Sequence, residues 1–415
     1  MIRILDHRAA AELLTRRAVR LRDAETVVAP ILEAVRTRGD AALLEYCRKL
    51  DGFDGSGVAV APEACSSAFA ELDRSFLGAI EVAARNIRDF ALTQLPEERF
   101  VEYPDGRRLG QVVRPLDSMG AYIPGGRYPL PSTLLMTVIP AQIAGVNAIA
   151  VACPRPGREI LGVAAYLGVP RLFRMGGAHA IAALAYGTES VPKVDRIVGP
   201  GNIYVAAAKK MIAGETGIDF IAGPTEIVIV AGEGNPVHLA ADMLAQAEHD
   251  VDASAIMLTT SRGLAEAVAA EIERQLADLC TAPVAGEAIA RNGAIVLFEQ
   301  LEQAAEFANE LAPEHLALHD PALLPAIRHA GSIFLGPDSP EAAGDYASGP
   351  NHVLPTSGVA RLRGGLSAAD FVKVIPVQEL SADSLARLAP AITTLARAEG
   401  LEAHARSVET RVAPV

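Results

Sequence analysis

The chain has 415 residues, half of them hydrophobic and 21% charged, a composition that folds and is long enough for more than one domain. Fifty acidic against 37 basic side chains give a net charge of −13 with no Lys/Arg cluster, which excludes a polyanionic partner such as DNA or RNA. The four cysteines are scattered and form no C-x-x-C pair, which excludes a disulfide framework or zinc ribbon and fits a reducing compartment.

The amino-terminal stretch "MIRILDHRAAAELLTRR" is charged throughout and lacks the apolar centre of a signal peptide. Residues 1 to about 95 read as mainly helical, with Arg and Glu at helical spacing among alanines and leucines. "YPDGRRLGQVVRPL" follows, where Asp105-Gly106 predicts a hairpin turn. The longest apolar stretch, "TLLMTVIPAQIAGVNAIAVAC", is interrupted by Pro140, Gln142, Gly145 and Asn147. It reads as a helix and then a buried strand, not as a membrane span. A soluble cytoplasmic protein is the expectation.

From about residue 120 the pattern alternates. "NAIAVAC", "RLFRMGG" and "DRIV" read as strands, separated by the helices "ILGVAAYLG" and "HAIAALAYG" and followed by "GNIYVAAAKKMI". A second series has "TEIVIVAG", "SAIMLTTS", "GAIVLF" and "GSIFLG" as strands, with "VHLAADMLAQAEH" and "LAEAVAAEIERQLADL" as helices. Two such series predict two α/β domains with parallel sheets and a ligand cleft between them. The last fifty or so residues read as helical again. No G-x-G-x-x-G follows any of these strands; "GPGNIY" has the glycine turn before a helix but lacks the third glycine, so it serves equally as a tight connection.

Three stretches carry candidate chemistry. In "LAQAEHD", Gln246 and His249 are three apart and share a helix face, offering an amide oxygen and an imidazole nitrogen. In "GDYASGPNHVLPT", Asp345, Asn351 and His352 fall in a loop punctuated by Gly and Pro, a usual setting for functional side chains. In "LAPEHLAL", Glu314 and His315 interrupt an apolar run, and on spacing alone a helix start with Pro313 in its first turn explains them. His404, five residues after Glu399 on a predicted helix, is explained by a surface ion pair.

In combination these stretches resemble a known family. "GAYIPGG", "GGAHAIAALAYGT", "GPGNIYV", "AGPTEI", "QAEHD", "LAPEHL", "GDYASGPNHVLPT" and "EGLEAHARSV" occur in the order found in histidinol dehydrogenases, from about residue 20 to the end. The resemblance implies an α/β fold of two incomplete Rossmann-like domains with helical N- and C-terminal segments, in an intertwined homodimer. Its limits would be 1–22 for the N-terminal helical segment, 23–114 with 226–365 for the first domain, 115–225 for the NAD side, and 366–415 for the segment reaching the partner. It implies one Zn2+ per subunit on Gln246, His249, Asp345 and His404, the last donated across the dimer interface. Glu314 and His315 would be the catalytic pair, and Tyr122, His179 and Asn202 the NAD contacts. Thr225, Gln246, His249, His315, Asp345, His352, Glu399 and His404 would line the substrate site. The implied reaction takes L-histidinol through L-histidinaldehyde to L-histidine and reduces two NAD, closing histidine biosynthesis.

Some positions depart from the family pattern. Thr225 stands where a serine is usual, His179 where a glutamine is usual, and "KVIPV" replaces a basic pair. Arg127 in "GGRYPLPS" resembles relatives that oxidise other primary alcohols, sulfonated diols among them, since a guanidinium suits a sulfonate and not an ammonium ion. Such a relative, with the same metal and Glu–His pair, is the alternative reading. A metal-binding scaffold that has lost catalysis would be expected to lack one of the ligands or the pair, and all are present.

Overall fold

Strands buried on both faces read as nearly continuous apolar runs, and Glu226–Val230 shows the pattern, with four apolar residues after Glu226 and all five buried. In the computed structural model, which describes residues 2–15, 21–125, 129–221 and 223–412, this strand lies inside a six-stranded parallel sheet. The spatial order is Arg3–Asp6, Ala294–Leu297, Ser254–Thr259, Glu226–Val230, His315–Leu318, Ser332–Leu335. Pleating sends Ile227 and Ile229 into a core with the helices Pro236–Ala247, Arg262–Leu276 and Ala282–Asn292. Val228 and Val230 enter the opposite core, against the helix Leu301–Leu311.

A second parallel sheet, of five strands, runs Arg171–Phe173, Ala148–Ala152, Ser118–Tyr122, Arg196–Val198, Gly217–Ile218. The apolar stretch that resembles a membrane span is the helix Pro131–Ile143 and the inner strand Ala148–Ala152 of this sheet, as expected. No helix among the described residues is long and apolar enough to cross a membrane. Both sheets reverse their strand order once, between Glu226–Val230 and His315–Leu318 in one and between Ser118–Tyr122 and Arg196–Val198 in the other. Open parallel sheets bind ligands outside the carboxyl ends of their strands at such switch points.

The alternation of strands and helices is as predicted, but three stretches differ. The N-terminal residues contribute the edge strand Arg3–Asp6 as well as the helix Ala11–Thr15. The helices Leu21–Arg38, Pro62–Ala70 and Arg74–Thr93 pack on helices of the five-stranded sheet, Gly177–Tyr186 and Ile203–Ile212 among them, whereas the resemblance groups 23–114 with the six-stranded sheet. The apolar stripe of Leu21–Arg38 (Val28, Ile31, Leu32, Val35) is spent in that core. In the carboxyl-terminal part, Val372–Leu380 is a strand, not a helix. Its alternating "VKVIPVQEL" suits a half-exposed edge, where Pro376 needs no ladder donor.

By packing, the chain divides into Met1–Gln94 with Asp117–Phe371, which holds both parallel sheets, and Leu95–Leu116 with Val372–Val415. The second unit is a three-stranded antiparallel sheet, Val372–Leu380, Arg107–Pro115, Arg99–Glu102, followed by the helices Ala382–Ala398 and Glu402–Val412. The predicted hairpin is formed, with the Gly106 N–H donating to Tyr103 O across the turn.

Candidate active site

"LAPEHLAL" does not begin a helix. The helix Leu301–Leu311 ends there, Ala312 takes a left-handed conformation (φ 45°), and Pro313 prevents continuation. The strand then starts at His315, whose four residues are all buried. Glu314 is thus the last residue of an α-to-β connection, fastened to the next strand by the Ser332 N–H donating to its carbonyl (2.9 Å). Both side chains lie at the amino end of the six-stranded sheet's switch point, where Thr225 and Glu226 also enter.

Glu314 is buried. Its Oε2 is 2.5 Å from the Thr225 hydroxyl and accepts from the Glu226 N–H at 3.0 Å. Burial raises its pKa despite these contacts and the neighbouring imidazole. His315 Nδ1 lies 3.2 Å from Glu226 O, 3.7 Å from Glu314 Oε2 and 3.6 Å from Glu341 Oε1. Its Nε2 is buried without a hydrogen-bond partner, 3.7 Å from Asp345 Oδ1. Burial pulls the imidazole pKa down, but Glu341, Glu314 and Asp345 more than reverse this and lift it to about 10.

Gln246 is in the last turn of the helix Pro236–Ala247, whose carboxyl end lies beside the amino ends of the strands. Hydrogen bonding orients its amide with nitrogen toward the Glu341 carboxylate (3.0 Å to Oε2) and oxygen toward the Thr225 hydroxyl (2.5 Å). His249, just beyond the helix, is half exposed, with Nε2 3.8 Å from Asp345 Oδ2.

Asp345 lies on the short helix Glu341–Tyr346, not in the loop expected for it. Burial raises its pKa, but His315, His352 and His249 hold it below the usual value. The loop does carry His352, whose Nδ1 is 2.7 Å from Asp345 O and whose Nε2 is 3.2 Å from the Thr133 hydroxyl. Burial lowers its pKa. Thr133 belongs to the apolar helix Pro131–Ile143, so the five-stranded half also props the site.

One residue of the cluster was missed. Glu341 is 2% exposed, burial raises its pKa to about 8, and it contacts both Gln246 and His315. Its spacing of four from Asp345 places both on one face of a helical turn, the signal that would have found it. Ligand atoms of His249, Glu341 and Asp345 lie within 4.8 Å of one another. Two ligands of one tetrahedral ion are about 3.4 Å apart, so this nitrogen-and-oxygen set fits a divalent metal.

Of the predicted nucleotide contacts, Tyr122 ends its strand, is 4% exposed and accepts from the Gly177 N–H at 3.1 Å. His179 is enclosed, its Nε2 2.8 Å from Asp51 Oδ2. Asn202 caps the helix Ile203–Ile212, its Oδ1 accepting from the Tyr204 and Val205 N–H groups at 3.1 Å. Glu399 and His404 belong to the second unit. Gly400 (φ 77°) separates them, with Glu399 capping the helix Ala382–Ala398 and His404 on the next, so they do not share the single helix expected. Both are exposed. Arg127 lies outside the described residues.

A buried carboxylate–imidazole pair next to a three-donor cluster, on two parallel sheets, defines an α/β enzyme. The histidinol dehydrogenase family model matches residues 14–412. Histidinol dehydrogenase from Thermus thermophilus is 50% identical over 394 residues, covering 93% of this chain and 94% of that one. That from Geobacter metallireducens is 47% identical over 413 residues, covering 97% and 95%. A crystal structure of histidinol dehydrogenase from Elizabethkingia anophelis superposes with a TM-score of 0.93 at 35% identity, covering 99% and 98%. The chain belongs to the histidinol dehydrogenase family, a family of NAD-dependent oxidoreductases.

Proposed function

We propose that this protein oxidises L-histidinol through L-histidinaldehyde to L-histidine with reduction of two NAD, in a zinc-dependent reaction of histidine biosynthesis. The observation that carries the reading is the contact of Glu314 and His315 beside Gln246, His249 and Asp345. Gln246, His249 and Asp345 would hold the metal, with the partner subunit's His404 completing the set. When bound, zinc would hold the substrate's amine and imidazole and balance the carboxylate charge around His315. Glu399 is the carboxylate assigned to the substrate, which carries an ammonium and no anionic group. Thr225 and His352 complete the pocket.

Each chemical role follows from proton inventory. His315, once neutral, takes the alcohol proton as hydride leaves the carbon. Glu314 takes a proton from the water that adds to the aldehyde, giving the hydrated form from which a second hydride leaves. When bound, NAD accepts these hydrides. Residues 115–225, the five-stranded half, are the NAD side. The support is the position of Tyr122 and of the Gly199–Asn202 turn at the carboxyl ends of adjacent strands flanking the switch point.

The two parallel-sheet halves are read as incomplete Rossmann-like domains. The homodimer reading is supported by apolar side chains exposed on the second unit, Leu395 (65%), Val374 and Ile375 among them. A soluble cytoplasmic enzyme fits these assignments. The test is NADH formation by the purified protein supplied with zinc, NAD and L-histidinol, with a sulfonated diol as the competing substrate. Turnover of the diol and none of histidinol would replace this reading by its alternative.

A further inference from the structure

The turn Gly199–Asn202 joins the strand Arg196–Val198 to the helix Ile203–Ile212, and it is held in an unusual way. Gly199 has φ 115°, and a Cβ there would lie 2.2 Å from Tyr122 O, so the turn is pressed against the end of the neighbouring strand. Its N–H donates to Asp219 Oδ2 (2.8 Å), and its carbonyl accepts from Lys209 Nζ (3.0 Å). Lys209 and Asp219 are themselves ion-paired, with side chains only 2% and 0% exposed. Asp219 Oδ1 further accepts from the Phe220 N–H at 2.6 Å.

A buried ion pair is costly to desolvate, and an apolar pair of similar volume fills the same space as well or better. What the charges add is direction: one glycine residue is gripped from its N–H side by the carboxylate and from its C=O side by the ammonium. We propose that Lys209 and Asp219 are positioning residues for coenzyme binding, fixing the backbone of the Gly199–Asn202 turn in the form that receives the dinucleotide. This rests on the assignment of NAD to the carboxyl ends of the five-stranded sheet. Neither residue touches the coenzyme. Lys209 is buried and its ammonium is engaged by Gly199 O and Asp219, so it is not a phosphate ligand.

The test compares wild type with Lys209→Met/Asp219→Leu, which removes both charges at similar volume. Asp219→Asn, nearly isosteric, is the second variant should the double variant fail to fold. The readouts are the Kd for NADH from its own fluorescence, which no tryptophan obscures, the KM for NAD and for histidinol, zinc content and thermal midpoint. The expected result is a Kd for NADH and a KM for NAD raised roughly tenfold, with kcat, zinc content and the KM for histidinol within about twofold of wild type. Asp219→Asn is expected to move the same quantities by about threefold or more. A lowered thermal midpoint with unchanged NADH affinity would overturn the positioning role and leave the NAD assignment standing. Failure of the wild type itself to bind NADH would overturn both.

Discussion

His315 Nδ1 lies 3.7 Å from Glu314 Oε2, although consecutive residues within a strand point to opposite faces. The two meet because Glu314 precedes the strand, in the connection that the left-handed Ala312 and Pro313 turn back toward the neighbouring strands. An acid–base pair adjacent in sequence is thereby adjacent in space. Its two members are assigned to different protons, and that separates their variants.

His315→Asn is expected to lower the rate of NADH formation from histidinol by about 10²–10⁴. Glu314→Gln is expected to spare the first oxidation more than the second, so that histidinaldehyde accumulates. Rates measured separately from histidinol and from histidinaldehyde check this, and equal losses in both variants at both steps would contradict the assignment.

Glu341 holds the Gln246 amide and faces His315. Glu341→Gln keeps the size and replaces one acceptor oxygen by an amide nitrogen that can only donate. Zinc affinity should fall by about 10–100-fold with the fold retained, a magnitude usual for groups that orient a metal's ligands. Competition with a chromogenic chelator measures it directly. His249→Ala should lose zinc more completely, because it removes a donor.

Burial pushes the Cys47 thiol up to about 12 and the Cys153 thiol up to about 11, whereas Cys280 is exposed. Because the thiolate is the nucleophile, a raised pKa leaves a thiol protonated and unreactive well above neutral pH. With a thiol-specific chromogenic reagent at pH 8, Cys280 should react in the fast phase. Cys47 and Cys153 should react only on denaturation.

Ala312 adopts φ 45° and ψ 61°, a conformation that suits glycine at the end of a helix. Ala312→Gly is expected to raise stability by about 1 kcal/mol, since relief of left-handed strain exceeds the added flexibility of the unfolded chain. Chemical denaturation measures it. A loss of stability would mean that the Ala312 methyl group, which is fully buried, contributes more than the strain removes.

The parallel sheets were legible because strands covered on both faces read as unbroken apolar runs, "TEIVIVAG" and "SAIMLTTS" most plainly. "LAPEHLAL" was not, since a four-residue buried strand after a helix has too short a period to separate from a further helical turn. Val372–Leu380 was hidden by Pro376 and by its exposed, charged face.

For the site, the spacing of Gln246 and His249 marked them as a pair, but the helix ends at Ala247, so His249 follows it and does not share its face. Asp345 and Glu341 were not legible as a pair, because their helix has only six residues and their burial is set by partners distant in sequence. The same holds for Lys209. Lys210 beside it reaches out to Glu25, and nothing in "AAAKKMI" tells which of the two lysines turns inward.

The central claim is a zinc-dependent oxidation in two steps at one Glu–His pair. The measurement that tests it most directly is the number of NADH formed per L-histidinol consumed, with zinc supplied, after chelation, and after zinc is restored. The account predicts two NADH per histidinol, lost on chelation and recovered with zinc. One NADH with free aldehyde released, or activity indifferent to the chelator, would contradict it.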